Sequence, residues 1–162
     1  MEIEIYWNQP VPLRSGRRSN LIYTVPDLEM IPTNAGVYLF GRLSRGNLIP
    51  MYVGQAMRLR SRIRGQFNNV RLMLGIANSP GRKRVLLAGE LIGKPGQELA
   101  STLDVVERAL IEYATLNGSP LLNQQGTKPR MHNLSFSGAR VIRTWVPRHL
   151  SVRKPRHRRR SG

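Results

Sequence analysis

Gly36-Val37-Tyr38 and Tyr52-Val53-Gly54 are two tripeptides of opposite order, each joined to an apolar, β-favouring run, with thirteen residues between them. Gly36–Leu43 and Met51–Gly54 read as strands, and Ser44–Pro50 reads as the turn between them. Strands this close in sequence are expected to be antiparallel neighbours, which places both tyrosines at one cleft. Working outward, Met57–Phe67 reads as a helix, continued towards Ala77 after a break near Asn68-Asn69, and Arg84–Leu91 as a third strand. Ser101–Leu116 is a strongly apolar helix with Asp104 in its first turn and Asn117-Gly118 at its stop. Ala139–Val146 offers one more strand. The expected class is α+β, a small, mainly antiparallel three-stranded sheet flanked by helices, with basic terminal extensions.

Charge narrows the partner. Lys and Arg number 26 against nine Asp and Glu in 162 residues, a net charge of +17. That imbalance points to phosphate backbones, DNA first and RNA as the alternative, bound with salt-sensitive affinity. There is no cysteine, so disulfides and thiol nucleophiles are excluded. No apolar run reaches the roughly 20 residues of a membrane span, and Met1–Tyr6 does not read as a signal peptide. The expected location is intracellular, cytoplasmic or nucleoid-associated. Neither a membrane nor a small-molecule cofactor is expected, and protein partners are not legible. No acid lies between Met30 and Gly89 or after Glu112, so few carboxylates can approach a basic cleft and a single-metal site is favoured over a paired one.

On the first helix Leu59, Ile63 and Phe67 recur every four residues and form the buried stripe. Arg58 and Arg62 share one flank, and Arg60 and Arg64 the other. Arg62 sits beside the stripe, where its guanidinium reaches the cleft, whereas Arg58, Arg60 and Arg64 read as a solvated face attractive to phosphate. On the later helix Val106, Ala109, Leu110 and Tyr113 trace the stripe, with Glu107 next to it. A carboxylate among apolar neighbours needs a metal ion or an arginine as partner. Glu112 has a helical mate in Arg108 one turn earlier.

These segments, with Pro120-Leu121-Leu122-Asn123 after them, resemble in order the motifs of the GIY-YIG endonuclease superfamily, and the stretch Tyr52–Phe67 is especially similar to the N-terminal nuclease domain of the UvrC repair subunit. The resemblance covers roughly Gly36–Gln125. It implies a Mg²⁺ (or Mn²⁺) dependent endonuclease that hydrolyses DNA. Tyr38 would act as, or position, the general base; Tyr52 would orient phosphate and water. Arg62 would bind the scissile phosphate, Glu107 would be the sole protein ligand of the metal, and Asn123 would brace the site. A free tyrosine has a pKa near 10, so the base role predicts a neighbouring cation that lowers it. Gln55 stands where some members carry a Lys, and Gln66 where many carry a His. The competing readings are a catalytically inactive DNA- or RNA-binding module on the same scaffold and a basic, ribosomal-type RNA-associated protein. Leu87–Gly93 resembles the LAGLIDADG helix only superficially, lacks its terminal acid and reads as an edge strand and turn.

The expected organisation is an extension over 1–33, a GIY-YIG nuclease domain over 34–126, a second extension over 127–147 and a disordered basic tail over 148–162. Arg148, Arg153, Lys154, Arg156, Arg158, Arg159 and Arg160 of that tail are expected to bind nucleic acid.

Overall fold

The computed structural model describes residues 2–119, 121–123 and 132–152. In chain order its strands are β1 (Glu2–Trp7), β2 (Val11–Pro12), β3 (Arg14–Ser15), β4 (Tyr23–Thr24), β5 (Gly36–Ser44), β6 (Asn47–Ala56), β7 (Lys83–Ile92), β8 (His132–Gly138) and β9 (His149–Val152). The α-helices are α1 (Leu59–Gln66), α2 (Val70–Asn78) and α3 (Leu99–Leu116). Among the described residues no helix is long and apolar enough to cross a membrane.

The expected small three-stranded sheet is corrected by a large, curled, seven-stranded mixed one, ordered β6-β5-β7-β1-β8-β9 with β2 also on β7. The antiparallel trio β6-β5-β7 carries the tyrosine motifs, but it does not end at β7. Glu2–Trp7, assigned to an extension, lies between β7 and β8, antiparallel to one and parallel to the other. The reason is its alternation: Ile3, Ile5 and Trp7 are fully buried while Glu2 and Tyr6 are exposed. A strand so patterned needs an apolar core under one face and a backbone partner at its side; the core on the α3 side supplies the first and the open edge of β7 the second. For the same reason Leu87–Leu91 lies within an interior strand and not an edge one.

Ala139–Val146 forms a 3₁₀ helix over Arg140–Thr144 and not a strand, because its buried residues Ala139, Ile142, Trp145 and Val146 recur at steps of three and four. Part of the basic tail is ordered: β9 pairs with β8 from His149 to Val152. Residues 153–162, with Arg153, Lys154, Arg156, Arg158, Arg159 and Arg160, lie outside the described residues.

Local chemistry explains the elements around the motifs. Arg45 and Gly46 both have positive φ, 51° and 81°, and join Ser44 to Asn47 in a two-residue hairpin, tighter than the turn the sequence suggests. Between Phe40↔Tyr52 and Gly41↔Pro50 the register shifts, leaving Met51 as an extra bulged residue. Asn69 ends the break between α1 and α2 by capping the latter, its side chain accepting from Leu72 N–H at 3.1 Å. Glu98 caps α3 in the same way, two residues before Ala100, whose N–H it also takes.

The sheet separates two cores. Val37, Leu39, Val53 and Leu87 face α3 through Leu103, Val106 and Leu110. Tyr38, Phe40, Leu86 and Ala88 face α1 and α2 through Leu59, Ile63, Met73 and Ile76. Both motif glycines are close approaches. A Cβ on Gly36 would lie 2.1 Å from the Gly89 carbonyl oxygen, and one on Gly54 would lie 2.5 Å from the Tyr38 hydroxyl. On Gly65, in α1, it would meet nothing within 4 Å. Urea denaturation should therefore show opposite signs for the same change: Gly36→Ala loses about 1–3 kcal/mol to backbone overlap, and Gly65→Ala gains about 0.5–1 kcal/mol of helix propensity.

Candidate active site

Opposed residues of an antiparallel pair share a sheet face. Tyr38 is opposite Gly54 and Phe40 opposite Tyr52, so both motif tyrosines point to the α1 side. Their ring centroids lie 6.2 Å apart. They differ in access. Tyr38 is fully buried, its phenol laid over Gly54, whereas half-buried Tyr52 lines an open cleft of about 880 Å³. Gln55, Arg58, Ser61, Arg62 and Gln66 line the same cleft.

Glu107 arrives from the other face of the sheet. It is half-buried on α3, and its carboxylate accepts a hydrogen bond from the Gln55 amide at 3.1 Å. The two faces meet because β6 is an outermost strand and Gln55 lies near its end. Arg62 is the electrostatic link: it feels the Tyr38 hydroxyl first, and also Tyr52 and Glu107. Asn123 closes the open side of β6. Its amide nitrogen donates to the Val53 carbonyl at 2.6 Å and its oxygen accepts from Val53 N–H at 3.2 Å, so one side chain imitates a paired strand residue. Leu122 N–H donates to the Met51 carbonyl beside it at 2.7 Å.

The structure thus brings Tyr52 and Arg62 to one cleft, with Glu107 held at its edge by the cleft residue Gln55, Tyr38 buried behind them and Asn123 holding the strand. Arg58 lines the cleft and Arg64 is exposed outside it. Arg60 is engaged elsewhere: it forms an ion pair with Glu29 at 2.7 Å and donates to the Ile31 and Glu29 carbonyls at 2.8 Å. It ties α1 to the N-terminal segment, on the flank opposite Arg62. Arg148 is exposed and lines no part of the cleft. Glu112 and Arg108 form no ion pair among the described residues.

Several contributors had no role assigned from the sequence, where Gln55 and Gln66 stood only as departures from the family pattern. Gln55 donates to Asp104 as well as to Glu107, so two carboxylates one helical turn apart converge on one amide. Their spacing of three along α3 was the available signal. Gln66 is buried and donates to the Tyr38 oxygen at 2.6 Å. Among the described residues no three His, Cys, Asp or Glu side chains gather at one point. The available donors are hard oxygens, the carboxylates of Glu107 and Asp104 with the Gln55 amide oxygen after a flip, which suits Mg²⁺ or Mn²⁺ better than a soft metal.

Burial sets the protonation behaviour. It pushes the Tyr38 phenol up to about 12, outweighing the Gln66 hydrogen bond and the Arg62 guanidinium that act the other way. The lowering that a base role needs is thus reversed, because the phenol is more thoroughly desolvated than the adjacent arginine can offset. Burial likewise holds the Glu107 carboxyl above its ordinary range; the Gln55 bond opposes this, the Asp104 charge reinforces it, and Arg108 and Arg62 oppose it. No family model, curated protein or solved structure matches this chain.

A carboxylate whose folded pKa is raised weakens the fold where it must ionise. Its favourable contribution is complete below the unfolded pKa, near 4.3, and is lost as pH rises through the higher folded value. Glu107→Gln should therefore raise the melting temperature at pH 7 in metal-free buffer, with the gain shrinking below about pH 4.3. Thermal unfolding scanned across pH reads this directly.

Proposed function

We propose that this chain is a divalent-metal-dependent endonuclease of the GIY-YIG type, which hydrolyses DNA phosphodiester bonds at the cleft between β6 and α1. The observation that carries this reading is the convergence of Arg62, Tyr52 and Glu107 at the end of one edge strand, although they belong to three elements and two sheet faces. The net charge of +17 supplies the attraction for a polyanion.

The chain's own groups divide the work. Arg62 and Arg58 line the cleft and hold a phosphate, with the planar fork of Arg62 on its non-bridging oxygens. The half-buried Tyr52 orients the phosphate and the attacking water. Glu107, with Asp104 one turn away, holds Mg²⁺ or Mn²⁺, and Gln55 orients both carboxylates. The bound metal supplies Lewis-acid stabilisation of charge on the phosphate and leaving oxygens. Asn123 keeps β6 in register, so the cleft residues near its end stay opposite α1. Water's oxygen bonds to phosphorus and its proton passes to solvent, while the phosphorus–oxygen bond to the leaving sugar breaks and that oxygen, keeping the bonding pair, takes a proton from solvent.

Replacing Glu107 by Gln should abolish cleavage of supercoiled plasmid and leave DNA binding near wild type, since the phosphate-binding cations remain. Glu112→Gln should cleave normally. The reverse pattern would place the metal ligand elsewhere on α3 and refute the assignment. Arg62→Lys should lower single-turnover cleavage by about 10²–10³, the loss expected for one oriented donor to transition-state charge. Arg60→Ala should instead lower stability and leave the salt dependence of DNA binding unchanged, because its partners are Glu29 and backbone carbonyls.

A further inference from the structure

A second hollow opens beside the cleft, between α2 and the segment that seals β6. It holds about 360 Å³, and Tyr52, Asn69, Arg71, Leu72, Gly75 and Leu122 line it. Tyr52 and Asn69 also line the larger cleft, so the two cavities share a wall. Their chemistry differs. Arg58 and Arg62 make the cleft a place for phosphate, whereas Leu72, Leu122 and the half-buried Tyr52 give the groove apolar walls. Arg71 and Leu72 precede Gly75 by four and three residues, so the three share one face of α2. Glycine inside a helix is less stable than alanine, and here its missing side chain is what keeps the groove open. A Cβ on Gly75 would lie 3.0 and 3.2 Å from the two terminal methyls of Leu122. Leu122 is 45% exposed and is held in place by its backbone N–H, which donates to the Met51 carbonyl at 2.7 Å. Arg71 is exposed beside these apolar walls and forms no ion pair among the described residues.

Resting on the nuclease reading, we propose that this groove is a nucleoside subsite. It takes the base of the nucleotide next to the phosphate in the cleft, turned out of the stack, with Arg71 on that nucleotide's other phosphate. A DNA strand presents a phosphate and then a base, and the two cavities adjoin in that order, charged and then apolar. Any base suits such walls, since each has a π-face to stack on an aromatic ring. An apolar peptide side chain would fit the same walls but would bring nothing for Arg71 or for the cleft beyond Tyr52. Unstacking costs least where a base is already unpaired. The favoured substrate is therefore a strand with an unpaired nucleotide beside the cut.

The test titrates the full chain in Mg²⁺ with thymidine 3′,5′-bisphosphate and with its counterpart lacking the base, by calorimetry. The base should tighten binding about tenfold or more, the worth of one stacked base. Two opposite changes should erase that gain and leave the baseless ligand bound as before. Gly75→Met fills the groove with a good helix former. Leu122→Ala removes the facing wall and keeps the backbone bond to Met51; if Gly75→Met does not fold, it carries the comparison alone. No gain from the base, or a gain that survives these substitutions, would overturn the proposal. On DNA, a duplex with one unpaired nucleotide should be cut beside it in preference to fully paired DNA, and Leu122→Ala should lose that preference. Equal cutting of the two duplexes by the wild type would overturn the proposal as well. A base-dependent gain, lost on substitution, in a protein that cuts no DNA would sink the nuclease reading and leave the subsite standing; cleavage without the gain would do the reverse.

Discussion

Everything at the cleft depends on β6 being the last strand of its sheet. In an interior strand, side chains on opposite faces are separated by the neighbouring backbone and cannot act on one substrate. Here Tyr52 comes from one face and Gln55, holding Glu107, from the other, and they meet where no further strand intervenes. An open edge is ordinarily a hazard for unwanted pairing. Leu122 and Asn123 remove that hazard along Met51–Val53 by taking up the strand's hydrogen bonds, and so leave the end of the strand, at Gln55 and Ala56, exposed to the cleft.

Close packing behind the edge fixes the rest. Gly54 exists as a glycine because the Tyr38 phenol occupies the space a side chain would need, and Gly36 because the Gly89 carbonyl does. Tyr38 is thereby locked in a dry position, which raises its pKa. Glu107 carries the complementary tension. Burial disfavours its charge, the Gln55 amide compensates only in part, and the carboxylate remains available to a cation.

The hairpin and the three helices were legible because their signals are local. Leu59, Ile63 and Phe67 are buried, as are Val106, Ala109 and Leu110, so a period of three to four found the inward faces of α1 and α3. The extent of the sheet was not legible. Alternation in Glu2–Trp7 identifies a strand but not its neighbours, and its parallel partner lies beyond residue 130. Ala139–Val146 misled because five apolar residues in eight suit either period. Within the site, Arg62 and Glu107 announced themselves by lying at the rims of apolar stripes. Gln66 and Gln55 did not, because an amide carries no charge and its role depends on partners 28 to 52 residues away. Arg60 read as part of a solvated, phosphate-facing row for a similar reason: Glu29, which claims it, is 31 residues earlier.

The central claim is that this edge cleft breaks phosphodiester bonds and does not merely bind them. The direct measurement is conversion of supercoiled plasmid by the wild-type chain in Mg²⁺ or Mn²⁺ against EDTA, with DNA binding followed in the same samples. The account predicts nicked or linear product with either metal, none in EDTA, and binding in both. Binding without any strand breakage in either metal would contradict it and leave a nucleic-acid-binding module built on the same sheet.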